Sequence, residues 1–187
     1  MDVKKFIKMF REEVRKLYND PIIGREKIKE LKNYEHTYLI GIAIYNAVRA
    51  YNKESKNNNN FQKIFITPEE RVLNGLRSDF SLKNEKDEVE LAIEHEHDRR
   101  DKNHKKGINN NYKKLQAIDA NEKLLICYLD NKDYDGDFKN YIVEKIKGDG
   151  KILLLIGTKK GDNDYSDSMK YKKTFCPQVG EGNASKD

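Results

Sequence analysis

The sequence predicts an α/β protein with a central mixed sheet flanked by helices and preceded by N-terminal helices. Three observations carry this reading. Apolar residues recur at helical spacing through residues 2–19 and again through 25–53. Two alternating segments, 76–82 and 89–96, are separated by the polar turn 83–88, the pattern of an antiparallel hairpin. Two apolar runs, KLLICYL at 123–129 and KILLLIGT at 151–158, bracket a helical pattern at 137–147. That order predicts a parallel, right-handed strand–helix–strand crossover.

Each element has its own signals. In the first helix Val3, Phe6, Ile7, Phe10, Val14 and Leu17 form one stripe, Asp2 is positioned to cap it and Pro21 stops it. The second helical region, expected in two pieces meeting near Asn33, presents Leu31, Tyr38, Leu39, Ile42, Tyr45, Val48 and Tyr51, while Gly41 and Ala43 permit close packing on a sheet. KNNNN at 56–60 is a polar loop. A short strand is expected over 61–66, limited by Pro68. Residues 98–106 are almost entirely polar, and a helix is expected from about 108–110 to 119, anchored by Leu115 and Ile118. An edge strand is expected within 169–175.

Composition sets the outer bounds. A chain of 187 residues predicts one domain, assigned to 1–175, with 176–187 as a patternless and disordered tail. Hydrophobic residues at 36% and charged residues at 37% predict a substantial core beneath a highly charged surface. The formal charge of +5 is compatible with a polyanionic partner without requiring one. Cys127 and Cys176 form neither a metal motif nor a disulfide framework, and Cys127 falls in an apolar strand as a buried thiol. The charged, helical N-terminus is not signal-like and no apolar run suits a membrane span, so the expectation is a cytoplasmic protein with no membrane association.

The chemistry concentrates in VELAIEHEHD at 89–98. In an extended strand, side chains two apart share a face. Glu90, Ala92, Glu94 and Glu96 then lie on one side, with Val89, Leu91, Ile93 and His95 on the other. Carboxylates in line repel one another unless a cation sits between them, and hard divalent cations prefer carboxylate oxygen. A hairpin brings Asp79 beside the strand carrying Glu94 and Glu96. Such a cluster suits Mg²⁺ or Mn²⁺, which orients water, lowers its pKa and screens a phosphodiester as charge develops on it.

His95 and His97, with His104 in reach, invite a zinc reading, but His95 points away from the Glu94 face and no cysteine lies nearby. The bland alternative for Glu94 and Glu96 is a solvated strand end. Apolar Leu91 and Ile93 immediately before them argue against it. The basic residues Arg99, Arg100, Lys105 and Lys106 follow the acids directly and suit phosphate contacts, although a charged loop without a partner has the same composition. The glycines at 148, 150, 157 and 161 lack phosphate-loop spacing and read as turns.

Asp79, then Glu94–His95–Glu96 in a hairpin, then a helix and KLLICYL, resembles the restriction-endonuclease-like, or PD-(D/E)xK, nuclease superfamily. The phrase LAIEHEHD also resembles AIEHEN segments of uncharacterised proteins related to that group. The resemblance covers 76–130 well and the remainder loosely. It implies a helix before a mixed central sheet, a crossover helix after the third strand, acids that bind metal, and DNA phosphodiesters as the usual substrates. By it, Asp79 matches the first acid and Glu94 the second. Glu96 stands where lysine is usual, which leaves the positive role to a second metal or to Lys113 or Lys114 of the following helix. Glu90 is a competing first acid, Glu35 a further ligand from the helix side, and Glu70 a weaker one. The expectation is Mg²⁺- or Mn²⁺-dependent hydrolysis of nucleic acid, DNA before RNA. The alternative is a non-catalytic nucleic-acid-binding or assembly module on a degenerate nuclease fold. A homodimer is compatible with either.

Overall fold

In a computed structural model, the described residues are 1–20, 33–57, 61–68, 78–96, 104–129, 152–158 and 172–174. Helices α1 (Val3–Asn19) and α2 (Asn33–Ser55) precede the first strands, β1 (Phe65–Pro68), β2 (Phe80–Lys83) and β3 (Val89–Glu96). Helix α3 (His104–Ala117) follows, then β4 (Glu122–Leu129), β5 (Ile152–Thr158) and β6 (Lys172–Thr174). The six strands lie side by side in sequence order. Strands β1, β2 and β3 form an antiparallel meander, β3, β4 and β5 run parallel, and β6 returns antiparallel on β5. The chain is thus α/β with a mixed sheet and helices on its faces.

Helix α1 follows its sequence signals closely. Asp2 adopts extended backbone and its carboxylate accepts from the Lys5 amide at 3.0 Å, satisfying one of the open donors of the first turn. Phe6, Phe10 and Val14 are almost completely buried, each contributing roughly 1.5–3 kcal/mol of apolar transfer free energy. They meet Ile40, Ala43, Ile44, Ala47 and Val48 of α2, and both helices cover the sheet face that presents Leu82, Leu91, Ile93, Leu124, Ile126 and Leu155. At Gly41 a Cβ would lie 3.0 Å from the Phe80 ring, so glycine sets how near α2 approaches β2. Asn52 fastens the segment before β1: its amide donates to the Ile64 carbonyl at 2.8 Å and its carbonyl accepts from the Ile64 amide at 2.9 Å.

The opposite face is covered by α3. Ile108, Tyr112, Leu115 and Ile118 pack on Ala92, Leu125, Cys127, Ile152 and Leu154. This helix starts at His104, earlier than expected, because its first turn carries no apolar periodicity to mark it. Strand β1 lies at Phe65–Pro68 rather than 61–66, and it tolerates Pro68 as the edge strand of the sheet. Of the expected 76–82 strand, Phe80–Leu82 is strand and continues to Lys83, while residues 69–77 lie outside the described ones. The expected helix at 137–147, the helical residues before Asn33, and the tail 176–187 also lie outside them. Parallel pairing of β4 with β5 is as the crossover pattern required.

The β2–β3 hairpin contains the one departure that matters for the site. Asn84 organises the turn, its side-chain carbonyl accepting from the Lys86 and Glu88 amides at 2.9 and 3.1 Å. Asp87 takes φ 63°, a left-handed conformation that short polar side chains tolerate. Leu82 pairs with Leu91 but Lys83 pairs with Val89, so Glu90 is an extra residue in β3. Among the described residues no helix is long and apolar enough to cross a membrane.

Candidate functional site

The site lies at the C-terminal end of β3, where the strand stops and the chain turns towards α3. Phe80 pairs with Ile93, so Asp79, the residue just before β2, stands beside Glu94. An Asp79 carboxylate oxygen accepts from the His95 main-chain amide at 2.8 Å, which ties the acid to the neighbouring strand. Glu94 projects from the same sheet face as Ala92, towards α3, and its side chain is 0% exposed.

Lys114 of α3 reaches down to this acid, its Nζ donating to Glu94 Oε2 at 2.7 Å. Burial pushes the Glu94 carboxyl up, the neighbouring Asp79 charge adds to this, and Lys114, helped by the Asp79 main-chain amide, offsets only part, leaving it at about 8 against an ordinary 4.5. The fold therefore favours the protonated form of the Glu94 carboxyl. Glu94 Oε1 is buried and has no hydrogen-bond partner among the described residues. That oxygen is where a proton resides or where a cation would bind.

Glu96 lies two residues further along β3. It accepts from Asn111 Nδ2 at 3.0 Å. A Cβ on Gly107 would collide with its carboxylate, so α3 passes directly over it. Parallel pairing sets Glu96 opposite Cys127. Burial, reinforced by the Glu96 charge, pushes that thiol well up and keeps it protonated.

The structure therefore brings Asp79, Glu94 and Lys114 together, and holds Glu96 nearby through Asn111. Lys113 is on the exposed side of α3. Among the described residues no three His, Cys, Asp or Glu side chains form a metal-binding group, so Glu96 does not complete a triad with Asp79 and Glu94. The two adjacent acids, with one buried oxygen lacking a partner, suit a hard divalent cation, with its remaining ligands supplied by water or substrate.

Glu90 occupies different surroundings. The strict alternation expected along β3 fails at the bulge, and the Glu90 carboxylate meets the Met1 amino group at 2.9 Å and Asn84 Nδ2 at 2.9 Å. It lines a cavity with Met1, Tyr51, Ser55, Phe61, Gln62 and Ile64, beside α1 and α2. Burial alone pushes its carboxyl up, but hydrogen bonds from the amino group and Asn84, together with the ammonium charge, outweigh burial and leave it below the usual value. Glu90 is thus an anchor for the N-terminal segment and no competitor of Asp79.

His95 points to the other layer, as its register predicted: its Nδ1 lies 3.3 Å from Thr37 Oγ1 on α2. Arg99, Arg100, Glu70 and His97 lie outside the described residues, as do the side chains of Glu35, His104 and Lys105; Lys106 is exposed. Sequence reasoning missed Gly107, Asn111 and Thr37. The first two carried a readable signal: with Lys114 they recur at i, i+4 and i+7, one face of a helix. Compared with known protein families, characterised proteins and solved structures, the chain matches none.

Proposed function

We propose that the protein is a divalent-metal-dependent phosphodiesterase acting on nucleic acid, DNA in preference to RNA, on a restriction-endonuclease-like frame. The observation that carries this is the buried Glu94 carboxyl, set beside Asp79 and capped by Lys114, with one oxygen lacking a partner. Burial of a carboxyl against a second acid costs stability without returning any packing benefit. Such an arrangement is characteristic of functional sites. The topology supports the same reading: helices precede a mixed sheet, and a helix on the far face links the third strand to a parallel fourth.

In this proposal Asp79 and Glu94 hold Mg²⁺ or Mn²⁺, which when bound supplies a positive centre that orients water and lowers its pKa. Holding the cation would require Glu94 in its ionised form, because ligating carboxylates must be deprotonated. Lys114 then offsets charge developing on the phosphoryl oxygens, standing in for the lysine that Glu96 replaces. Glu96, steered by Asn111, faces the same space and accepts hydrogen bonds from water or substrate.

The test is incubation of the protein with supercoiled, linear and single-stranded DNA plus Mg²⁺ or Mn²⁺, wild type beside Glu94→Gln. Cleavage by the wild type, abolished in a folded Glu94→Gln variant, is the expected result. Intact DNA in every reaction would refute hydrolysis. A second reading, a non-catalytic nucleic-acid-binding module, draws support from the acid at position 96 and from the pairing of Lys114 with Glu94. That protein would hold DNA in the presence of chelator and be indifferent to Glu94→Ala.

A further inference from the structure

We infer that the outer face of α2 is a track for single-stranded DNA, with Tyr38 and Tyr45 stacking bases and Arg49 meeting phosphate. This rests on the nucleic-acid part of the proposed function. The residues of α2 divide sharply. Leu39, Ile40, Ala43, Ile44, Ala47 and Val48 are buried against α1 and the sheet, whereas Tyr38 is 73% exposed and Tyr45 51% exposed. Among the described residues the only other large hydrophobic side chain left so open is Phe65, on the edge strand, where it alternates with the inward-facing Ile64 and Ile66.

Tyr38, Tyr45 and Arg49 recur at i, i+7 and i+11, which is one line along a helix. The Arg49 guanidinium lies 5.9 Å from the Tyr45 ring centroid, a cation over an exposed π face. Exposed Lys53 and Lys56 continue the positive charge at the C-terminal end. From Thr37 to Lys53 the helix carries no Asp or Glu, in a chain holding 32 of them. The only acid further on, Glu54, belongs to the other side, where Lys5 lies 3.4 Å away.

The line starts at the end of β3 that carries the acids, on the sheet face opposite the one from which Glu94 projects. Thr37, adjacent to Tyr38, touches His95, whose main-chain amide is held by Asp79. At 1.5 Å rise per residue, Tyr45 lies roughly 10 Å from Tyr38 and Arg49 about 6 Å further, directed away from the acids. Aromatic faces interleaved with cations suit an unpaired strand, whose bases are free to stack, whereas a duplex buries its base faces.

Fluorescence anisotropy of a labelled oligothymidylate, and of a labelled duplex, in chelator tests this without any contribution from cleavage. Tyr38→Ala and Tyr45→Ala are each expected to weaken oligothymidylate binding about tenfold and to leave duplex binding unchanged. Arg49→Ala should reduce the salt dependence of single-strand affinity by roughly 0.7 in log–log slope. All three positions are solvent-exposed, and circular dichroism would verify the fold. Wild-type protein that does not bind oligothymidylate, or tyrosine variants that bind it as tightly as wild type, would overturn the track. Single-strand binding lost in the tyrosine variants by a protein that never cuts DNA would keep the track and remove hydrolysis. Cutting by variants with unaltered binding would do the reverse.

Discussion

Glu94 is the residue on which stability and chemistry pull in opposite directions. Its folded pKa of about 8 lies above the ordinary 4.5, so the neutral form is the one the fold favours. The stability it contributes is complete below 4.5 and is lost as pH rises towards about 8. In metal-free buffer the melting temperature of the wild type should therefore fall across that interval relative to Glu94→Gln, whose amide does not ionise. Parallel curves for the two proteins would contradict the buried, proton-bearing carboxyl. Lys114→Met should cost about 1.5–3 kcal/mol at low pH, the loss of one charge-assisted hydrogen bond. Above pH 8 the cost should grow to roughly 3–5 kcal/mol, because a buried carboxylate is then left without its cation. Denaturant melts at two pH values measure the difference. The sequence signalled Glu94 through its type and spacing, and Lys114 only as one of two lysines that the family resemblance offered, but Thr37 against His95 joins positions far apart in the chain, which no local pattern encodes.

At the level of elements, α3 owes its role to a single line of residues. Gly107, Asn111 and Lys114 face β3, and each meets a different atom set: Gly107 leaves room for Glu96, Asn111 holds it, and Lys114 caps Glu94. In Gly107→Ala the added methyl meets the far end of a flexible side chain, so Glu96 swings aside. Alanine is favoured over glycine by about 1 kcal/mol in a helix interior, roughly the value of the lost Asn111 hydrogen bond. Stability should thus stay within about 1 kcal/mol of wild type while cleavage falls; a melting curve and a plasmid assay separate the two effects. Asn52→Ala should act on stability alone. It removes two hydrogen bonds to the Ile64 main chain and leaves both groups unpaired, at about 2–3 kcal/mol by denaturant titration. The sequence made helices with strong apolar stripes readable, α1 above all. The start of α3 was not, since His104, Lys105, Lys106 and Gly107 offer no apolar period.

For the molecule as a whole, the sheet separates two layers with different tasks. The α1–α2 layer holds the larger apolar core, and the α3 layer reaches the acids from the other side. The parallel β4–β5 pair was legible in KLLICYL and KILLLIGT, because strands buried on both faces read as continuous apolar runs. Pairing order and the extra residue in β3 were not, since both depend on how the turn closes. Metal binding to the intact protein should release a proton near neutrality, so the stabilisation by Mn²⁺ should be larger at pH 8 than at pH 6. Calorimetric scans with and without Mn²⁺ at both pH values test this, and equal shifts would exclude Glu94 as a ligand.

The bulge opposite Lys83 lets one short strand deliver carboxylates to both sides of the sheet. Glu90 serves as a mooring for the first residues of the chain, while Glu94, four positions along, turns to the opposite face and meets Lys114. Damage to the two should be distinguishable: Glu90→Gln loosens the N-terminal helix and spares whatever Glu94 does, and an excision that straightened the strand would set two acids competing for the same small space.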